Sequence, residues 1–380
     1  MKENSSNNSG VLIAGLALFS MFFGAGDLVW PIIVGSQTGS MNGYAIIGML
    51  ITGVSLPLLG LIAMLLFEGQ YKAFFNCVGK YPSLILMFII QAILGPVGSI
   101  PRLINLGHAT LKPYFPFEIS LLLFSIVASG FVLMCTYKKH KIVDLLGIVL
   151  TPILLASIGS ILYVGLWDHP EATPSSLTAG QAFGSGIVAG YSTLDLIASF
   201  VFAPFVLSHF LSDGDDSYEH RIGSLKKMVK ASLISAFLLS FMFLGLSFIS
   251  SYFSPILGSQ LPDEDKLSAI AIYLLGPMGG FIACLSIAMT CLTTTIPLVS
   301  IAGDYVHESL LSKRGNIVFA QMGVLAVSAA IANLGFSGIA ALLNPFLQVL
   351  CPTLLVLSLY NIYKRIKEYR EPNAVFELAD

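Results

Sequence analysis

Ten apolar stretches alternate with short polar runs along the chain, at about 11–37, 42–67, 83–107, 118–136, 143–165, 181–211, 228–252, 268–302, 316–338 and 340–363. Each is near or above the length of roughly 20 residues that a helix needs to cross a bilayer. Alternation in segments of roughly 10 residues, the requirement of a membrane barrel, is absent. The pattern predicts an all-α polytopic membrane protein with about ten transmembrane helices. The last two spans almost touch, so they form a tight hairpin. A polar tail (1–10) precedes the first span and a charged tail (364–380) follows the last.

Composition agrees with this reading. Of 380 residues, 56% are apolar and only 11% charged, against roughly 25% charged in soluble proteins. A soluble surface needs more polar cover. The net charge of −2 gives no footprint for nucleic acid. The first apolar stretch is too long for a signal-peptide core, which makes it an uncleaved helix. Cys77, Cys135, Cys284, Cys291 and Cys351 are scattered in or beside apolar segments. They read as small packing residues rather than disulfide partners or metal ligands.

Charge sets the orientation. With the N-terminus in the cytoplasm, only Arg102, Lys112 and Lys266 of the 19 Lys and Arg fall off the inner side. That bias satisfies the positive-inside rule and places both termini in the cytoplasm. The runs DGDDSYEHR (213–221) and PDEDK (262–266) read as solvated loops on opposite sides.

Two spans differ from the rest. The first is interrupted at Gly24-Ala25-Gly26-Asp27, and the sixth near Gly190-Tyr191-Ser192-Thr193, with Asp195 just beyond. These are the first members of two five-span halves, 11–165 and 181–363. Five is odd, so the halves enter the membrane from opposite sides, as an inverted repeat with matching broken helices. Such paired interruptions point to a transporter's binding site. A break frees backbone N–H and C=O groups, tolerated at membrane depth only against protein or a watery cavity. The half-helix ends carry opposite partial charges. A zwitterionic amino acid suits them, its carboxylate on free N–H groups and its ammonium on free carbonyls.

Each candidate also has a structural reading. Glycines allow close helix packing. Asp27 lies at mid-membrane, where a carboxylate costs at least ~2.5 kcal/mol and is functional by default. Asp195 has the same reading, or it caps the second half of span six. Thr290, Thr293 and Thr294 share one helix face. Their hydroxyls either ligate a hard cation or bond the carbonyl one turn back. Arg102 either snorkels to the outer interface or pairs with Asp27 or Asp195 as part of a gate. No His forms a ligand spacing, and no nucleotide loop, catalytic triad or zinc motif occurs, so an ATP-driven pump and an intramembrane enzyme are both disfavoured. An amino-acid sensor without net transport remains the alternative of another class.

Several motifs together resemble the bacterial branched-chain amino acid carrier family, the BrnQ or LIVCS carriers. FSMFFGAGDLVWPIIVGSQTG (19–39) resembles its first-span signature, approximately FFGAGNLIFPPxLGxxAG. GSGIVAGYSTLDLIASFVF (184–202) is similar to NGFxxGYxTMDxLAxxxF, CLTTTIPL (291–298) to CLTTAIGL, and GPVGSIPR (95–102) to GPxFAxPR. IANLGFSGIAALLNPFLQVLCPTLLVL (331–357) resembles the SNLGLxxIIxxSxPxLxxxYPxxIxLI segment. The resemblance covers nearly the whole chain, in order.

It implies a LeuT-like 5+5 inverted repeat with broken helices 1 and 6, in a bacterial inner membrane. It implies sodium-coupled import of leucine, isoleucine and valine, with no cofactor beyond the coupling ion. By the same resemblance the substrate lies between Ala25, Gly26, Gly190, Tyr191, Ser192 and Thr193, shaped by apolar residues of spans three and eight. The cation site then joins backbone around Gly24–Asp27 to Thr293, Thr294 and the Thr290 carbonyl. The expected partners are thus a small apolar amino acid, a coupling cation and the lipid bilayer, and nothing sets an oligomeric state.

Three departures from the family pattern bear on this. Asp27 stands where relatives usually carry Asn, so Na+ and H+ are both open as coupling ion. The sequence stops after span ten, where relatives usually continue for about two more helices. PRLIN replaces PRTA, and Pro297 replaces Gly, which leaves room for methionine or another unbranched apolar substrate.

Overall fold

Backbone in hydrocarbon must satisfy its own N–H and C=O groups, and helices do so within one segment. Every regular element among the described residues is a helix. The computed structural model describes residues 2–136, 151–167, 169–211, 218–257 and 261–370. Among the described residues, six apolar runs are long enough to cross a bilayer: Ala25–Leu66, Lys80–Tyr114, Ala179–Pro204, Gly223–Phe253, Asp263–Leu310 and Gly335–Lys367. Gly10–Phe22, Leu121–Thr136, Thr151–Trp167 and Ile317–Ala332 are shorter apolar helices.

Several expected boundaries move. Helix Lys2–Phe22 already includes the polar N-terminal segment, and helix Gly335–Arg370 runs on into the charged C-terminal one. The PDEDK run is not a loop. Asp263, Glu264 and Asp265 form the first turn of a helix, where acidic groups meet the positive end of its dipole. That helix kinks at Gly276, whose φ of +69° suits a residue without a side chain, and Pro277 follows at once. Residues 212–217, the DGDDS end of the other charged run, lie outside the described residues, as do 371–380 and Lys138, Lys139 and Lys141.

Two spans are broken, the first between helices Lys2–Phe22 and Ala25–Thr38 and the sixth between Ala179–Ser192 and Asp195–Leu211. Both halves of span one pack along helix Tyr218–Leu257, the seventh span. Both halves of span six pack along the second span, on helices Asn42–Leu50 and Leu56–Leu66. Each broken helix therefore leans on the second helix of the other repeat, the exchange an inverted repeat produces. Helices Ser99–Leu111 and Asp263–Tyr305, the third members of the repeats, pack on each other.

Small residues set these contacts. A Cβ on Gly35 would run into the Ser247 carbonyl, one on Gly48 into that of Phe183, and one on Gly186 into that of Ala45. Hydroxyls reinforce the seam beside Gly35. Ser250 donates to the Ile32 carbonyl at 2.6 Å, and Ser247 to Asn42 Oδ1 at 2.7 Å. Without a hydrophobic drive between helices in lipid, such close backbone approach is how they associate.

Candidate functional site

The last four carbonyls of any helix have no intrahelical donor. The first half of span one ends at Phe22, and Gly24 then takes an extended conformation, φ −115° and ψ −156°. The second half starts at Ala25 and puts Asp27 in its first turn. Asp27 Oδ2 accepts the Gly24 N–H at 2.9 Å, a reach back across the first turn that caps the new helix. Its other oxygen, Oδ1, is buried with no hydrogen-bond partner.

The sixth span breaks at Thr193 and Leu194, the far end of the Gly190–Thr193 stretch. Gly190 is still helical, and a Cβ there would meet Thr52 and the Gly53 backbone of span two. Its smallness serves packing. The chain turns instead at Leu194, with φ +76°. Thr193 Oγ1 accepts the Asp195 N–H at a long 3.4 Å and donates to the Gly190 carbonyl at 2.9 Å.

The two breaks meet. A Cβ on Gly26 would lie 2.6 Å from the Thr193 carbonyl oxygen. Beside this contact is a cavity of about 30 Å³, lined by Gly24, Ala25, Gly26, Asp27, Arg102, Thr193, Asp195 and Thr294, with Leu94, Leu103, Phe202 and Leu298 as its apolar wall. A volume of that order takes one water-sized occupant. Of the residues expected around a substrate, Ala25, Gly26 and Thr193 line the cavity, while Gly190, Tyr191 and Ser192 do not. Ser192 Oγ is turned to the Val188 carbonyl at 2.8 Å and to Asn344 at 3.2 Å.

Three buried charged side chains face this cavity. The Asp27 and Asp195 carboxyl groups are close neighbours on the wall of this cavity. Arg102 is 1% exposed, so it does not snorkel. Nor does it pair with either carboxylate. Its Nη1 donates to the Ser192 carbonyl at 2.9 Å, at the negative end of the first half of span six, and its guanidinium lies 5.3 Å from the Phe336 ring centroid. Arg102 Nε and Nη2 and Asp195 Oδ2 have no partner among the described residues.

On the other side of the Gly24 turn lies a cluster of oxygens. Thr294 Oγ1 donates to the Ser20 carbonyl at 3.1 Å and lies 3.4 Å from that of Phe23. Thr293 Oγ1 donates to the Thr290 carbonyl at 2.9 Å and accepts from Ser20 Oγ at 3.3 Å. The Thr290 hydroxyl points back to the Ser286 carbonyl, so this residue offers only its backbone oxygen. The Gly24 carbonyl belongs to the second helix, where it accepts the Leu28 N–H at 3.2 Å. The span-one oxygens facing Thr294 are those of Ser20, one turn before Gly24, and Phe23, the residue before it. The rule of free carbonyls in a last turn identifies them, given the break.

A separate apolar cavity of about 330 Å³ lies between spans three, four, eight and nine, lined by residues including Ile104, Phe124, Ala128, Phe131, Cys291 and Leu292. Leu103 borders both cavities. All five cysteines are free.

The family model described as branched-chain amino acid transport protein matches residues 7–378. The branched-chain amino acid permease BrnQ of Bacillus subtilis (strain 168) is 30% identical over 381 residues, covering 96% of this chain and 84% of the permease. Among solved structures, a Na+-coupled sialic acid symporter in a substrate-bound outward-open state has a TM-score of 0.60 at 12% identity, covering 93% of this chain and 78% of its own. A manganese transporter of Eremococcus coleocola also reaches a TM-score of 0.60 at 12% identity, covering 96% and 89%. Two such different cargoes on one fold leave the cargo to the site.

Proposed function

From its membership of the branched-chain amino acid transport protein family, in which this chain is a multi-pass membrane transporter and not an enzyme, we propose that it is a secondary active symporter. It brings leucine, isoleucine and valine into a bacterial cytoplasm, coupled to Na+. The observation that carries the coupling is the oxygen cluster of Ser20, Phe23, Thr290, Thr293 and Thr294. Carbonyl and hydroxyl oxygens suit a hard cation, and here two helices of opposite repeats supply them. A cation bound there holds span one against span eight. The cavity as it stands takes only a water-sized occupant, so the substrate enters this site as the two breaks draw apart; both ligands then stabilise one arrangement of the breaks and each raises the other's affinity.

The closeness of Asp27 and Asp195 favours a second reading, in which a proton is the coupling ion. Two carboxyl groups so placed in a low-dielectric site are stable with a proton or a cation between them. One experiment separates the readings: accumulation of labelled leucine in reconstituted vesicles under an inward Na+ gradient, then under an inward proton gradient. Sodium-driven accumulation supports the first reading and proton-driven accumulation the second. Accumulation under neither, for leucine, isoleucine, valine and methionine alike, overturns both.

A further inference from the structure

Buried charge needs a partner. An isolated ionised group in a protein interior is costly, and a buried pair that loses one member is strongly destabilised. The central cavity is unusual on this count. Asp27, Arg102 and Asp195 are each at most 2% exposed. Each keeps at least one polar atom without a partner, namely Asp27 Oδ1, Asp195 Oδ2, and Arg102 Nε and Nη2. All three side chains line the same small chamber. Asp27 Oδ2 is engaged by the Gly24 N–H and Arg102 Nη1 by the Ser192 carbonyl, so these two side chains are held in place.

Resting on the amino-acid transport reading, we propose that the substrate's head group is recognised by these side chains. Arg102 takes the α-carboxylate, and Asp27 with Asp195 takes the α-ammonium. The donor count fits. The free Nε and Nη2 are two donors of one planar fork, the geometry that meets a carboxylate in a paired fashion. The free carboxylate oxygens are acceptors for an ammonium with three donors. The charge count fits as well. Two carboxylates and one guanidinium leave one negative charge, a zwitterion adds none, and one coupling cation balances it.

The anchoring is also directional. Arg102 is fixed to the end of the first half of span six and Asp27 to the start of the second half of span one. A head group held between them ties the two broken helices together. An amine alone reaches the two carboxylates but not Arg102, and an acid alone reaches Arg102 but not the carboxylates. The site therefore selects zwitterions over singly charged apolar molecules of the same shape.

The test is competition against bound labelled leucine in the purified protein, with 3-methylbutylamine, which lacks the carboxylate, and 4-methylpentanoate, which lacks the ammonium. The wild type is expected to bind both analogues roughly 10- to 100-fold more weakly than leucine, the scale of lost charge-assisted hydrogen bonds. In Arg102→Gln the advantage of leucine over the amine collapses, while its advantage over the acid remains. In Asp27→Asn or Asp195→Asn the reverse holds. Arg102→Lys, which keeps charge without the fork, recovers part of the first preference and guards against a folding defect.

A wild type that binds either analogue as well as leucine overturns the proposal. So does an Arg102→Gln protein, folded by thermal melt, with an unchanged ratio of leucine to amine. Loss of binding for all three ligands in both Arg102 variants overturns it too, by reducing Arg102 to a structural role. If the wild type binds methionine but not leucine, the choice of substrate fails. The head-group assignment is then tested with methionine and its amine and acid analogues. If no amino acid binds, both fall.

Discussion

At Gly24 the first span stops and restarts on a residue with no side chain, while at Leu194 the sixth does so on a buried leucine with φ +76°. The first break is relaxed. Its extended glycine is open to any turn, and the N–H it frees is capped by a carboxylate at 2.9 Å. The second carries strain, since a bulky residue in the left-handed region costs on the order of 1–3 kcal/mol and persists only when its surroundings impose it. Its cap, Thr193 to the Asp195 N–H, is long at 3.4 Å. The contrast separates two jobs within the inverted repeat. Span one supplies a capping carboxylate and the Ser20 and Phe23 carbonyls of the oxygen cluster. Span six supplies a sprung backbone, held down by Arg102 on one side and the second span on the other.

Five substitutions sharpen this contrast. Asp27→Ala removes both the cap and the charge and is expected to reduce leucine uptake in vesicles to background. Uptake at wild-type rate would leave span one without its chemical role. Gly26→Ala comes next, because its Cβ lands 2.6 Å from the Thr193 carbonyl oxygen and no rotamer relieves a backbone clash. Initial uptake rates are expected to fall at least roughly tenfold, the effect of a small misplacement at a positioned site. Gly24→Ala is the milder counterpart, since its nearest neighbour is the Thr294 methyl at 3.2 Å. Equal losses at the two glycines would remove the distinction. Thr294→Ala is expected to raise the Na+ concentration for half-maximal uptake roughly tenfold, the worth of one good hydrogen-bonding oxygen. An unchanged sodium dependence would take span eight out of the cation site. Smallest is Thr193→Ala, expected to cost about 1 kcal/mol as a lost N-cap, read as a lower melting midpoint.

The position of the first break is written in the sequence. A Gly-Ala-Gly-Asp run fits close packing as well as a break, and it is the carboxylate at mid-membrane depth that tips the reading to a break. The sixth break is written less plainly. Gly190 draws the eye, but its missing side chain serves contact with span two, and nothing in a leucine's chemistry signals φ +76°. The cation oxygens were half legible. Thr293 and Thr294 stand out by spacing, whereas the Ser20 and Phe23 carbonyls are backbone groups that every residue owns. For Arg102 the sequence suggests an anchor or an ion-pair partner. Its actual contact, the Ser192 carbonyl, depends on where span six ends. Overall architecture fared best, because hydropathy and the pairing of the breaks both follow from the solvent.

The seams at Gly35, Gly48 and Gly186 have a mechanical meaning. A surface of Leu and Ile side chains can slip, since flexible ends trade one set of neighbours for another. Backbone pressed on backbone works like a keyed joint, in which any travel along the axis drives a carbonyl into a Cα. Spans one and seven, and spans six and two, are keyed in this way. Each pair is therefore built to move as a unit, with little sliding between its members. The freedom needed to admit and release cargo falls to the bearings around it, where the contacts are side chain on side chain.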